Sequence, residues 1–320
     1  MRSAHRLLDC DVARPFQGRR VLVTGASGFL GWHVAQQGVS GGVDVHTLGR
    51  SPGPAGSTFH QADLTDGAAV GVAVAAARPQ AIIHCAAPGV TYGAMEFRDM
   101  LAVAVNGTEA IYRAAAQLPA PPSVVHVGSG FEYAFSALPV NEEWPIVPSA
   151  SLYGAAKAAA SALAGGFADR LAITIMRPFH IYGAGEGERR LGPHIISQVR
   201  AGEPVALTGG EQLRDFIHVG DCSNCLWRAL ALSLTNPGIR TYNVGSGQSI
   251  TVRHYIEGLA AALSEAGFHA KLSFGALPYR THEAMVSLPD TSRWLEVSNG
   301  RSQVSLGDGI ADLVKTELSR

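Results

Sequence analysis

Arg19-Arg20-Val21-Leu22-Val23-Thr24-Gly25-Ala26-Ser27-Gly28-Phe29-Leu30-Gly31 is a short apolar strand pattern that runs straight into glycines and then into a helical pattern reaching Gln37. Gly25, Gly28 and Gly31 recur at three-residue intervals. Between a strand and a helix, glycines so spaced let the backbone turn tightly, approach a pyrophosphate closely and aim the first N–H groups of the helix at it. Gly25, Ser27, Gly28, Phe29, Leu30 and Gly31 are therefore the expected cradle of a dinucleotide.

Outward from this turn, strand-like runs recur at 43–48, more weakly at 57–60, then at 81–84, 124–127 and 172–176. Alanine-rich helical stretches lie between them at 68–77, 95–118 and 151–168. Such alternation specifies an α/β fold, a doubly wound parallel sheet of the Rossmann type with helices on both faces. After Arg177-Pro178 the texture changes to loops rich in glycine and charge, and the short runs 216–219 and 241–244 are expected to rejoin the sheet. The expected division is a dinucleotide-binding domain, 18–178 and 216–248, with a smaller C-terminal substrate-binding lobe, 179–215 and 249–320.

Composition sets outer limits. Of 320 residues, 47% are hydrophobic and 16% charged, which suits a compact core and excludes a disordered chain. A formal net charge of -1 offers no field to recruit nucleic acid or an acidic membrane, so an anionic ligand must be held by a few placed groups. Residues 1–18 mix Arg2, Arg6, Asp9, Asp11 and Arg14 and lack the apolar run of a signal peptide, and no bilayer-spanning stretch follows, so a cytoplasmic location is expected. The four cysteines are too few and too unevenly spaced for a disulfide framework. Cys222-Ser223-Asn224-Cys225 has metal-ligand spacing, but no second pair completes a zinc site; two buried residues one helical turn apart is the expected reading.

The end of the second strand bears on the cofactor. A side chain that holds a ribose 2′-hydroxyl is usually acidic there, whereas this chain has Gly49-Arg50-Ser51. Arg50 and Ser51 suit a 2′-phosphate, so NADP(H) is expected, with NAD(H) the alternative. Asp63 and Leu64 would flank the adenine, and Cys85, Ala86 and Ala87 would line the groove after the fourth strand.

Tyr153 and Lys157 stand four residues apart in a helix whose N-cap is Ser149 or Ser151, so their side chains share one face. A neighbouring ammonium and a cationic nicotinamide are expected to lower the phenol's pKa from its usual value of about 10. Tyr153 could then exchange a proton with a substrate oxygen while hydride moves, and Ser129, after the strand 124–127, would hydrogen-bond the same oxygen.

With these segments assembled, the chain resembles the extended short-chain dehydrogenase/reductase family, specifically its nucleotide-sugar epimerases, dehydratases and reductases. The glycine motif, His84-Cys85-Ala86-Ala87, Asn106-Gly107-Thr108, Ser129, Tyr153/Lys157, Arg177-Pro178-Phe179-His180-Ile181-Tyr182-Gly183 and Gly210-Glu211-Gln212-Leu213-Arg214-Asp215-Phe216 carry the likeness. The resemblance implies Ser129, Tyr153 and Lys157 as catalytic residues and Asn106, Tyr153, Lys157 and Pro178 among the cofactor contacts. It also implies a nucleotide-sugar substrate met by Ser129, Phe131, His180 and Arg190, with Arg214 and Arg280 gripping its diphosphate. A homodimer paired through the helices 95–118 and 151–168 is implied as well. Family dehydratases and decarboxylases carry an acid close after the serine position; Glu132 comes one place late, which disfavours both reactions. The segments 128–133 and 278–285 look most like 4-keto-6-deoxyhexose reductases of the family. His180 replaces the family's usual asparagine.

Overall fold

The computed structural model describes residues 10–88, 95–148, 151–235, 238–281, 283–298 and 303–319. The first half alternates strand and helix: β1 (Arg20–Thr24), α1 (Phe29–Ser40), β2 (Asp44–Gly49), β3 (Thr58–Gln61), α2 (Gly67–Ala77), β4 (Ala81–His84), α3 (Phe97–Leu101), α4 (Gly107–Ala116), β5 (Ser123–Val127), α5 (Leu152–Ala162) and β6 (Ile173–Pro178). The second half holds β7 (His180–Tyr182), α6 (Leu191–Arg200), β8 (Val205–Ala206), β9 (Leu213–Arg214), β10 (Phe216–His218), α7 (Val219–Thr235) and β11 (Ile239–Val244). It ends with β12 (Ile250–Thr251), α8 (Val252–Glu265), β13 (Leu272–Ser273), β14 (Val286–Ser287), α9 (Ser292–Ser298) and α10 (Leu306–Leu318).

Seven strands form one parallel sheet in the order β11-β6-β5-β4-β1-β2-β3. Because side chains alternate across a strand, Val21 and Val23 face one layer while Leu22 faces the other. Val21, Val23, Ile83 and Val125 join Val34 of α1 and Leu226 and Trp227 of α7 in one core. Leu22, Ile82 and Val124 join Val74 of α2 and Ile111 and Tyr112 of α4 in the second. Burial on both faces is why the central strands read as unbroken apolar runs. The connection out of β1 leads to β2 on one side, and β4 pairs on its other side, so the strand order reverses there and opens a crevice at the carboxyl ends. This is the Rossmann-type sheet the alternation specifies.

Two local expectations are corrected. Residues 95–118 are not one helix: α3 passes through a π-helical turn, Ala102–Asn106, before α4 begins. The Thr108 hydroxyl bonds back to the Ala104 carbonyl inside this widened turn, and the turn sets Ala102 and Val103 against the crevice. The run 216–219 does not rejoin the main sheet; β10 pairs with β7 in a separate two-stranded parallel sheet, because β11 already occupies the place beside β6. Residues of α6, α8 and α10, among them Ile195, Ile196, Leu259, Leu263, Ile310 and Leu313, form a third core in the C-terminal half. Among the described residues no helix is long and apolar enough to cross a membrane. Cys222 and Cys225 are buried one turn apart in α7, where burial pushes both thiols up.

Candidate active site

A cleft of about 750 Å³ runs along the carboxyl ends of the sheet. Its first wall is the β1–α1 turn. Gly25 has φ +71°, in the left-handed region, and a Cβ there would lie 2.7 Å from the Cα of Ala86. A Cβ on Gly31 would strike the Gly25 carbonyl, so only glycine lets α1 start this close to the strand. No side chain caps α1 at Gly28, and its first turn opens on the cleft. A cradle of this shape, with backbone where side chains would intrude, fits a dinucleotide pyrophosphate. Gly25, Ser27, Gly28, Phe29, Leu30, Gly31, Arg50, Ser51, Asp63, Leu64, Cys85, Ala86, Ala87 and Pro178 all line this cleft. Arg50 and Ser51 are exposed at its rim, and Asp63 folds its carboxylate onto the Thr65 amide (2.9 Å) and hydroxyl (2.8 Å), which holds its pKa below the usual range.

Buried hydrogen bonds behind the cleft hold 85–87 in place. The Thr24 hydroxyl bonds Nδ1 of His84 (2.7 Å) and accepts from the Ala86 amide (3.2 Å), while Nε2 of His84 meets Thr108 (3.0 Å). Burial drives His84 down to about 3, so it is a neutral strut between β1, β4 and α4.

The second wall carries the proton-handling groups. α5 begins on Ser151, whose hydroxyl accepts from the Gly154 amide at 3.1 Å; the other N-cap considered, Ser149, lies outside the described residues. Tyr153 and Lys157 project from α5 into the cleft that Ser129 also lines. The buried Lys157 donates to the carbonyl of Val127 at the end of β5, and burial lowers its pKa to about 8. In the protein alone, burial pushes the Tyr153 phenol up to about 12, opposed by the Arg190 charge, while Glu132 adds to the rise. The cation acting on the phenol is Arg190 rather than Lys157, whose ammonium is turned to Val127.

Glu132 explains how Ser129 is fixed. Its carboxylate is fully buried and accepts from the Ser129 amide (2.7 Å), the Ser161 hydroxyl (3.0 Å) and Nε of Arg177 (2.8 Å). Ser129 and Glu132 thus form a capping box, a spacing visible in the sequence as Ser-x-x-Glu. The acid lies beneath the loop and does not line the cleft.

Phe131, His180 and Arg190 converge on the open end of the cleft. The rings of Phe131 and Tyr153 meet edge to face at 6.2 Å, and Nε2 of His180 bonds Ser287 at 3.0 Å. Three expected contacts are not brought there. Arg214 is buried and committed, donating to the carbonyls of Ala284 (2.6 Å) and Leu213 (2.9 Å) and pairing with Glu283 (3.1 Å), because the β9–β14 pairing seats residues 283–284 beside it. Arg280 is exposed and outside the cleft wall, and its neighbour His282 lies outside the described residues. Asn106 is exposed at the end of the π turn and also outside the wall. Met95, Asp99, Ala102 and Val103 also line the cleft, from the segment leading into α3, from α3 itself and from the π turn, and no motif in the sequence marks them.

A glycine cradle at the switch point of a Rossmann sheet, facing a Ser-Tyr-Lys cluster across one cleft, defines a dinucleotide-dependent enzyme. Residues 21–245 match the NAD dependent epimerase/dehydratase family, and the chain belongs to that family. A UDP-glucose 4-epimerase of Mycolicibacterium smegmatis is 28% identical over 319 residues, 92% of this chain and 97% of that protein. A CDP-abequose synthase of Salmonella typhimurium is 30% identical over 141 residues, 44% of this chain and only 46% of that protein's length. Among solved structures, MoeE5 in complex with UDP-glucose and NAD superposes with a TM-score of 0.82 at 27% identity, covering 94% of this chain and 99% of that one. The fold and the family therefore agree on an NAD(P)-dependent enzyme of the nucleotide-sugar class.

Proposed function

We propose that the protein is an NADPH-dependent reductase of a nucleotide-linked 4-keto-(6-deoxy)hexose. The observation that carries this reading is geometric: Ser129, Tyr153 and Lys157 line one cofactor-sized cleft, while the acid nearest Ser129, Glu132, is turned away from it onto the Ser129 amide, Ser161 and Arg177. A phenol keeps its proton at neutral pH, and burial pushes Tyr153 further the same way; this is the form that can protonate the oxygen of a carbonyl under reduction. An epimerase must begin with the base form, which needs the positive charge of an oxidised nicotinamide nearby; a reductase starts against an uncharged, reduced ring.

In this reading the dinucleotide lies along Gly25, Ser27, Gly28, Phe29, Leu30 and Gly31, with Arg50 and Ser51 on a 2′-phosphate, and it supplies the hydride. Ser129 orients the keto oxygen, and Tyr153 delivers the proton. Lys157 keeps donors to spare beyond Val127 for a ribose hydroxyl. Phe131, His180 and Arg190 receive the sugar nucleotide, the lobe formed by 179–215 and 249–320 supplying that side. Glu132 is spent on Ser129, Ser161 and Arg177, so no acid close after Ser129 serves elimination. A homodimer in the cytoplasm belongs to the same proposal.

The runner-up is a nucleotide-sugar 4-epimerase, which the near full-length likeness to the mycobacterial UDP-glucose 4-epimerase favours. A panel of nucleotide 4-keto-sugars with NADPH and NADH, followed at the nicotinamide absorbance, separates the two. Stoichiometric NADPH oxidation supports the reductase. A purified protein that retains NAD and interconverts epimers without net oxidation overturns it.

A further inference from the structure

The loop between β7 and α6 carries a carboxylate that the chemistry above does not use. Glu186 is only 5% exposed, yet the Arg190 guanidinium approaches it at 3.7 Å, and Arg190 also donates to the Ile181 carbonyl at 3.2 Å. One side of Arg190 is thus held from within the C-terminal half. The other side reaches the cleft wall shared with Tyr153 and His180. Arg214, the other arginine near this end, is committed to Glu283.

We infer that Glu186 is a positioning residue for the cleft: it holds Arg190 from below, so the charge that Arg190 presents to Tyr153 and to an anionic substrate rises and falls with the Glu186 proton. Titratable groups act on the pair from every element packed around it. Arg190 stands at the start of α6 and favours the carboxylate, whereas Glu317 of α10 opposes it. Tyr182 of β7 and Tyr255 of α8 both feel the Glu186 charge and are themselves held protonated by burial. Burial outweighs Arg190 and brings Glu186 up to about 7. On the acid side of neutrality Glu186 is neutral and Arg190 faces the cleft with its full charge. On the alkaline side the guanidinium is shared with the carboxylate. A diphosphate drawn to Arg190 competes with Glu186 and must raise the midpoint further, since coupling between two binding events is reciprocal. The ligand half of the inference rests on the nucleotide-sugar reading; the Glu186–Arg190 half does not.

The test is the carboxyl 13C titration of protein labelled at glutamate, compared across wild type, Glu186→Gln and Arg190→Gln. One glutamate resonance titrating near neutral pH, absent in Glu186→Gln and moved upward in Arg190→Gln, is expected. A Glu186 resonance titrating below about 5, or a midpoint that Arg190→Gln leaves in place, overturns the inference whatever the substrate is. The titration is repeated with UDP-glucose and dTDP-glucose, whose diphosphate diesters have no proton to lose near neutrality. A probe that binds and raises the midpoint supports Arg190 as its receptor, with binding weakening about fivefold from pH 6 to 8.5. A probe that binds and leaves the midpoint unmoved overturns that part. Failure of every nucleotide sugar to bind, with the Glu186 titration intact, counts against the proposed function alone.

Discussion

Replacing Glu132 separates a structural acid from a catalytic one. The carboxylate is fully buried and is the partner of Arg177, itself 7% exposed. Breaking a buried ion pair by removing one partner costs about 3–5 kcal/mol, because the remaining charge has neither water nor counter-charge. The Ser129 amide loses its acceptor as well, and an unsatisfied buried donor costs about 1–3 kcal/mol. The Ser161 hydroxyl can rotate to another acceptor, so its share is small. Glu132→Ala should therefore lower the unfolding free energy by roughly 4–8 kcal/mol, and Glu132→Gln, which keeps one carbonyl oxygen, by roughly 2–3 kcal/mol. Urea unfolding with an unchanged m-value reads this directly. Glu132→Leu combined with Arg177→Met should regain much of the loss, since apolar groups of similar volume often replace a buried pair without penalty. The recovery is incomplete because Arg177 also donates to the Tyr133 hydroxyl at 2.9 Å. A Glu132→Gln protein within about 0.5 kcal/mol of wild type but without turnover refutes the reasoning. The carboxylate would then act in the reaction, and elimination chemistry would return as the leading possibility.

Three further outcomes follow from the same geometry. Tyr153→Phe should reduce turnover by about 10²–10⁴-fold while NADPH binding, read by fluorescence, stays intact; retained turnover removes Tyr153 from the chemistry, and an inactive wild type would point to a binding protein. Arg50→Ala should weaken NADPH roughly ten- to a hundredfold, the worth of a hydrogen bond to a charged group, and leave NADH nearly unchanged; equal losses for both overturn the 2′-phosphate role. His126 is fully buried beside His84 (ring centroids 5.5 Å), neither of its ring nitrogens has a hydrogen-bond partner among the described residues, and burial holds its pKa well below 6.5. The unfolded chain takes up that proton below about pH 6.5 and the folded chain does not, so stability present above pH 6.5 is lost as the pH falls. His126→Phe should reduce that loss by about 1.4 kcal/mol in all between pH 7.5 and 5.5, read as the difference between the two proteins' urea unfolding at those two pH values.

Much of the fold could be read from sequence because its signals are local. β4 occupies the whole run Ala81–His84 and all four residues are buried, three apolar side chains followed by a histidine between loops. Gly25 and Gly31 were equally plain, since a positive φ and a backbone-to-backbone approach exclude other residues at those places. The π turn at Ala102–Asn106 was not legible. A helix and a helix with one widened turn share nearly the same apolar spacing, and here the difference accompanies a hydroxyl from Thr108 that also serves His84. The strand at 216–218 failed for a topological reason: its pattern says strand but cannot say which sheet edge is already taken.

The residues proposed to react were legible for a different reason than the residues around them. Ser129 and Tyr153 each sit where one element fixes them, at the end of β5 and in the first turn of α5, so sequence distance and spatial distance run together. The charges that tune them come from elsewhere in the chain. Lys157, one turn from Tyr153, turns one donor to the Val127 carbonyl, while Arg190, 37 positions away, supplies the cationic influence on the phenol and Glu132 counteracts it. Arg214 failed the other way, since its partner Glu283 comes from a segment 69 residues on, brought in by the β9–β14 pairing. Coulomb interactions follow distance in space, so a motif can name the phenol that carries the proton, but its acidity belongs to whatever the tertiary fold sets around it. In this cleft burial and Glu132 push the phenol toward its protonated form and Arg190 pulls the other way, a balance assembled by the tertiary fold and absent from the motif.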